Sequence, residues 1–220
     1  MKNKSNLLLT LLSIIILAPA QAQLTQEHAT DKLKMHLEKK SDPYLPNAYD
    51  NQKTSPAYYF NSSETSRTTA STIVTTQANL SSGGQNIIGD AANEPSIAIS
   101  PIDGNKMCIG WRQFDNVSSN FRQAVYAYTT NAGAAWTFPG VIEPGIFRSD
   151  PVLEYDDLGN FYYNSLTNSP DFFCTVFKST DGGVTWGAGT PAFGGDKQWM
   201  TIDRTGGVGN GNIYSAWTYA

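Results

Sequence analysis

Charge is scarce in this chain. Asp, Glu, Lys and Arg make up 15% of its 220 residues, against about 25% in a typical soluble domain. Such a sequence cannot lay down the charged faces of exposed helices or coiled coils. The charge that is present leans acidic, with 15 Lys and Arg against 19 Asp and Glu. No basic surplus exists to neutralise phosphates, which argues against nucleic acid as a partner. Histidine is rarer still: His28 and His36 are the only two, both near the N-terminus. The later chain therefore has no Ser-His-Asp triad and no His-rich zinc site. Cys108 and Cys174 are the only cysteines, in the apolar runs MCIGW and FFCTVF. Two cysteines do not make a disulfide scaffold, and in such runs they read as small buried hydrophobes. H-E-x-x-H, G-x-S-x-G, Walker and C-x-x-C motifs are absent, so no metal and no other cofactor is expected. The run GGVGNG at 206–211 departs from the dinucleotide fingerprint and reads as a hairpin loop.

Aromatics reach 12%, and there are 19 glycines and 11 prolines. Flat rings, many turns and few charges point to an all-β protein of short strands. The first residues are an address. Lys2 and Lys4 precede an apolar run from Leu7 to Leu17, and Ala20-Gln21-Ala22 forms an A-x-A cleavage site. Residues 1–22 thus read as a secretory signal peptide. Export to the periplasm, cell surface or medium follows, with no membrane span in the later chain. Residues 23–85 read as a polar leader and linker. They hold a possible helix over Thr25–Lys40 and a first strand over Thr72–Asn79.

Residues 86–220 repeat themselves. Glu94-Pro95 opens PSIAISP, a turn and KMCIGW. Asp150-Pro151 opens VLEYD, a turn and FYYNSL, and Asp196-Lys197 opens QWMTID, a longer turn and NIYSAW. Each unit reads as an acidic residue, an inner strand, a turn and a second strand, about 50 residues per unit. Alternation sets Ile97 with Ile99 on one face, and Met107, Ile109 and Trp111 on another. A second repeat lies inside the first. Ser179-Thr180-Asp181-Gly182-Gly183-Val184-Thr185-Trp186 fits S-x-D-x-G-x-T-W, and TTNAGAAW at 129–136 is a weaker copy with Asn131, Gly133 and Trp136. In such a turn the Asp or Asn accepts backbone N–H bonds. The glycine takes positive φ, and the Trp anchors the turn to the core. These residues are structural.

The octapeptide resembles the Asp-box, or bacterial neuraminidase repeat. Over about residues 87–220 the sequence resembles the sialidase (neuraminidase) superfamily. The resemblance implies a six-bladed β-propeller, of which this chain carries about the first 2.5 to 3 blades at roughly 50 residues each. The chain then reads as the N-terminal part of a longer protein or a truncated frame. The implied activity is exo-α-sialidase-type hydrolysis of terminal glycosidic bonds. The alternative is a non-catalytic propeller that binds glycans or proteins at the surface, since the box stabilises blades and not chemistry. A carbohydrate or glycoconjugate is the implied partner, and the oligomeric state stays open.

In that architecture the Asp boxes join the third and fourth strands of a blade, so the opposite face collects the candidates. Its loops offer Glu94, Arg148, Asp150, Asp196, Lys197 and Trp199, and then Arg112, Gln113, Asp115 and Arg122. In sialidases three arginines hold the substrate carboxylate, an Asp is the acid/base and a Tyr is the nucleophile. By position, the resemblance suggests Asp150 or Asp115 as the acid/base. It suggests Arg112 and Arg148 as carboxylate contacts, with Arg122, Lys197 and Trp199 as further substrate contacts. The Arg-Ile-Pro signature is absent, with GWRQF at 110–114 the nearest substitute. The nucleophile belongs to later blades. Tyr162, Tyr163, Tyr214 and Tyr219 read as core aromatics. Glu94, Asp150 and Asp196 recur in every unit, which also fits an architectural role at strand starts.

Overall fold

The computed structural model describes residues 42–44, 53–57, 59–63, 72–168 and 172–218. The signal-peptide segment, the helix expected over Thr25–Lys40 and Tyr219 lie outside them. Among the described residues the protein is all-β, with antiparallel sheets and no helix.

Two sheets carry the architecture. The first is a four-stranded meander of β5 (Ala91–Ile99), β6 (Met107–Phe114), β7 (Gln123–Thr129) and β8 (Thr137–Val141). The second repeats that order with β9 (Ser149–Tyr155), β10 (Phe161–Thr167), β11 (Phe173–Ser179) and β12 (Thr190–Phe193). A hairpin of β13 (Asp196–Ile202) and β14 (Ile213–Thr218) follows, and the GGVGNG run lies in its loop. The segment read as linker also holds strands. β1 (Lys53–Ser55) pairs with β4 (Asn86–Ile88), and β2 (Tyr59–Ser63) pairs with β3 (Thr72–Thr76). The β-branched run TIVTT favours a strand, and it pairs with β2 in register from Tyr59–Thr76 to Ser63–Thr72.

The two meanders pack face to face. Ala98, Cys108, Ala124 and Tyr126 of the first meet Leu153, Phe161, Tyr163 and Phe177 of the second. Tyr163 is fully buried, and its hydroxyl donates to the Val125 carbonyl at 3.1 Å. Gly110 makes room for that ring: a Cβ there would lie 2.3 Å from Tyr163 Cε2. The other face of the first sheet buries Trp111, Val125 and Ala127 against Ala78, Trp136 and Phe138. Its two central strands, β6 and β7, are thus covered on both sides, which explains their nearly continuous apolar runs.

Ile97 and Ile99 share a face, and that face is exposed, while the small Ala98 between them points into the core. The space between the sheets is taken by Tyr163 and Phe161, so β5 contributes only the Ala98 methyl. Tyr214 is exposed rather than part of a core, because β13 and β14 form only a two-stranded sheet. Tyr162 is half-buried and donates to Asp156 Oδ2 at 2.9 Å.

Both Asp boxes close as their chemistry requires. Asp181 Oδ1 accepts from the Ser179 hydroxyl at 2.8 Å and from the N–H groups of Val184 and Thr185 at 3.0 Å. Asn131 Oδ1 accepts from the Thr129 hydroxyl at 2.8 Å and the Ala135 N–H at 2.9 Å. Gly133 and Gly183 have φ of 82° and 86°. Trp186 sits edge-on to Tyr126 and Tyr163, each 5.7 Å away, and so seals the space between the sheets. Trp136 instead donates to the Thr76 hydroxyl at 3.2 Å and ties its box to β3.

Candidate functional site

The first strands of the three units, β5, β9 and β13, lie side by side, with the Leu153 N–H donating to Ser96 Oγ at 2.9 Å. Each carries the same defect near its start. Glu94-Pro95 lies between the paired positions Asn93 and Ser96, Asp150-Pro151 between Ser149 and Val152, and Lys197-Gln198 between Asp196 and Trp199. In each bulge two residues oppose one on the neighbouring strand. The first bulge residue has a left-handed backbone, with φ of 53° at Glu94, 50° at Asp150 and 53° at Lys197. Glycine is the usual residue there, and a side chain costs about 1–2 kcal/mol. Three units accept that cost with a charged residue. The equivalent of Glu94 and Asp150 is therefore Lys197 rather than Asp196, whose carbonyl accepts from the Thr218 hydroxyl.

The bulges aim these charges into one place. Lys197 Nζ lies 3.5 Å from both Glu94 Oε1 and Asp150 Oδ2. Arg112 Nη2 lies 3.2 Å from the same Glu94 oxygen, and Arg112 Nε donates to Asn93 Oδ1 at 2.7 Å. The Ser149 hydroxyl donates to Asp150 Oδ1 at 2.6 Å. Burial resists ionisation of Asp150, but the Ser149 hydroxyl and the Lys197 ammonium and backbone N–H outweigh it. The carboxyl is held below its usual range. The same carboxylates raise Lys197 against the opposing effect of its burial. Asp150 is thus an anion and Lys197 a cation at neutral pH.

Between the bulges lies a cavity of about 270 Å³, lined by Glu94, Ser96, Asp150, Lys197, Gln198 and Trp199, with prolines and Val152. Trp199 is 71% exposed and offers an open indole face. Glu94 Oε2 and Gln198 Oε1 accept no hydrogen bond from the protein and lie buried behind the cavity surface, which is mostly apolar. Gln198 Nε2 is engaged by the Asp150 carbonyl.

Of the residues suggested by the sequence, Asp150, Lys197 and Trp199 line this cavity, and Arg112 braces it through Glu94 and Ser149. Arg148 does not. It is 4% exposed, donates to Glu143, to the Ser165 carbonyl and to the Thr175 hydroxyl, and stacks 5.0 Å over Phe177. Its guanidinium binds β10 and β11 to the loop before β9. Asp115 accepts from Gln123 Nε2 at 2.7 Å, and Arg122 lies 4.7 Å from the Phe147 ring. Neither lines the cavity. Sequence reasoning missed Ser149 and Gln198. Both adjoin a named residue, but nothing in their identity announces a bulge.

No family model and no curated protein matches this sequence. Among the described residues no helix is long and apolar enough to cross a membrane, and no cluster of His, Cys, Asp and Glu has the makings of a metal site.

Proposed function

We propose that this is an exported sialidase-like β-propeller protein, and that the cavity between its inner-strand bulges binds a terminal sugar of a glycan. The two meanders and the β13–β14 hairpin are its successive blades. The observation that carries the reading is the exposed Trp199 beside a small, mostly apolar cavity edged by the charges of Glu94, Asp150 and Lys197. An indole face stacks on the C–H side of a pyranose, while carboxylates and amides take its hydroxyls. The cavity lies just below the range of roughly 300–1,000 Å³ for drug-sized ligands, which suits one ring. Backbone strain at Glu94, Asp150 and Lys197 is what a positioned site accumulates.

A hydrolytic role is the second reading. It is favoured by the two carboxylates, Glu94 and Asp150, that share one ammonium beside the cavity. Asp150, held ionised, suits stabilisation of an oxocarbenium ion and not proton donation. A glycan array probed with the full chain, followed by calorimetry, tests the first reading. Trp199→Ala is expected to weaken binding tenfold or more with an unchanged melting temperature. Folded protein that retains no glycan overturns it. Release of a fluorescent aglycone, lost in Asp150→Asn, establishes the second.

A further inference from the structure

The outer edges of the three units are finished differently. The first meander ends on β8, which includes Pro139, and the second ends on β12, which includes Pro191. Proline has no N–H to give a further strand, and on an outer strand it blocks pairing with another chain. The third unit has no such device. β14 holds neither a proline nor a charge, and among the described residues only β13 pairs with it. Ile213, Tyr214 and Trp217 on it are exposed. An uncharged apolar edge of this kind is a template for another strand.

The backbone of β14 sets the register such a strand would take. The Asn212 carbonyl accepts from the Asp203 N–H at 2.9 Å, so it points toward β13. Alternation then turns Tyr214 and Ala216 toward β13 and leaves the N–H and C=O groups of Ile213, Ser215 and Trp217 on the open edge. We infer that this edge pairs with a second copy of the chain, β14 against β14 antiparallel, about a twofold axis at Ser215. The two hairpins then join into one four-stranded sheet, the strand number of each meander. Ser215 meets its own twin, and Ile213 meets Trp217 of the second copy, a β-branched residue against an aromatic. Tyr214 lies across from Ala216 of the second copy. No charge opposes a charge in this ladder, so the strand is complementary to itself, as an isologous contact requires. The surface lies at the far edge of the hairpin and is independent of what the cavity binds.

Light scattering on the full chain, from about 1 to 200 μM, is expected to show a monomer–dimer equilibrium, weak because one strand pair buries little area. Ser215→Pro removes an N–H that faces the open edge and spares the ladder to β13, so this variant is expected to remain monomeric throughout. Cysteine substitution reports the register. Paired residues at the axis lie about 5.5 Å apart at Cα, within disulfide reach. Ser215→Cys is therefore expected to give a cross-linked dimer on mild oxidation. Ile213 and its twin are out of step by about 13 Å along the strands, and Ile213→Cys should give none. Cys108 and Cys174 are buried and add no background. A monomer at every concentration overturns the inference. So does a dimer that survives Ser215→Pro, or one that cross-links through Ile213→Cys as readily as through Ser215→Cys. If Ser215→Pro fails to fold, the two cysteine variants decide.

Discussion

Each guanidinium nitrogen of Arg148 already donates a hydrogen bond inside the protein, and its face covers Phe177. Removing it unties the Ser165 carbonyl and leaves a hole beside an aromatic ring. Arg148→Ala should therefore lower stability by about 2–4 kcal/mol in urea unfolding. Arg148→Lys should not restore it, because an ammonium cannot reach three partners in one plane. Unaltered stability would return Arg148 to the pool of ligand contacts. The two Asp boxes provide an internal comparison. Asn131 holds the first box as Asp181 holds the second, so Asp181→Asn should cost no more than about 1 kcal/mol. Asp181→Ala, which abandons two backbone N–H groups, should cost about 1–2 kcal/mol. Acid also acts at this scale. Burial opposes ionisation of Asp150, Asp156 and Asp181. It is outweighed by Ser149 and Lys197, by Asn160 and Tyr162, and by Thr185 and Ser179 respectively, and all three carboxyls sit below the usual 3.8. The unfolded chain thus takes up these protons at higher pH than the folded one. The stability they contribute is complete above about pH 4 and is lost as pH falls through the lowered folded values. Urea midpoints should be flat from pH 6 to 5 and fall below 4, less steeply in Asp181→Asn. A midpoint that holds steady down to pH 2 would contradict the shifts.

At the scale of elements, the contact between the two meanders turns on a missing side chain. Gly110 faces Tyr163 and Leu153 so closely that an added methyl would lie 2.3 and 2.7 Å from their atoms. Gly110→Ala should cost about 1–3 kcal/mol by overpacking, with both sheets retained in the far-ultraviolet spectrum. Gly183 is constrained twice, by a φ of 86° and by Cys108 at 3.0 Å. Little of this was legible beforehand. The Asp boxes and their glycines announce themselves, because their chemistry lies within eight consecutive residues. The strand pairs β5–β6, β9–β10 and β13–β14 were also legible, from alternation and intervening turns. The face of Ile97 and Ile99 was not, because period-2 alternation says which residues share a side and not which side meets a neighbour. The bulges at Glu94, Asp150 and Lys197 were hidden for the same reason. Register against a partner strand is a pairwise property, and the acidic pattern pointed to Asp196 where the backbone selects Lys197.

For the whole molecule, the two thiols report on the integrity of the packed sheets. Cys108 and Cys174 are free and buried. Burial raises the Cys108 thiol far above its usual range and pushes Cys174 up to about 11. Neither forms thiolate at neutral pH, so neither attacks a disulfide reagent. The native protein should take up no thiol reagent at pH 8 in an hour, and two equivalents after unfolding in guanidinium. Fast labelling of the native state would mean that the meanders separate far more readily than their packing implies. Such protection also suits thiols expected to meet an oxidising compartment.

The amino-acid sequence by itself determined the class of this protein and its turns. Scarce charge, abundant rings and repeated glycine turns make strands, and an Asp or Asn followed by glycine and Trp closes its own loop through local hydrogen bonds. Only the tertiary structure decided which charges meet. Arg148 and Asp150 are two residues apart, yet one is buried between strands and the other opens on the cavity. Glu94 and Lys197 lie far apart in the chain and end 3.5 Å from one another. Side-chain direction depends on bulge, register and packing against a neighbouring sheet, and none of these is a property of a single stretch of chain.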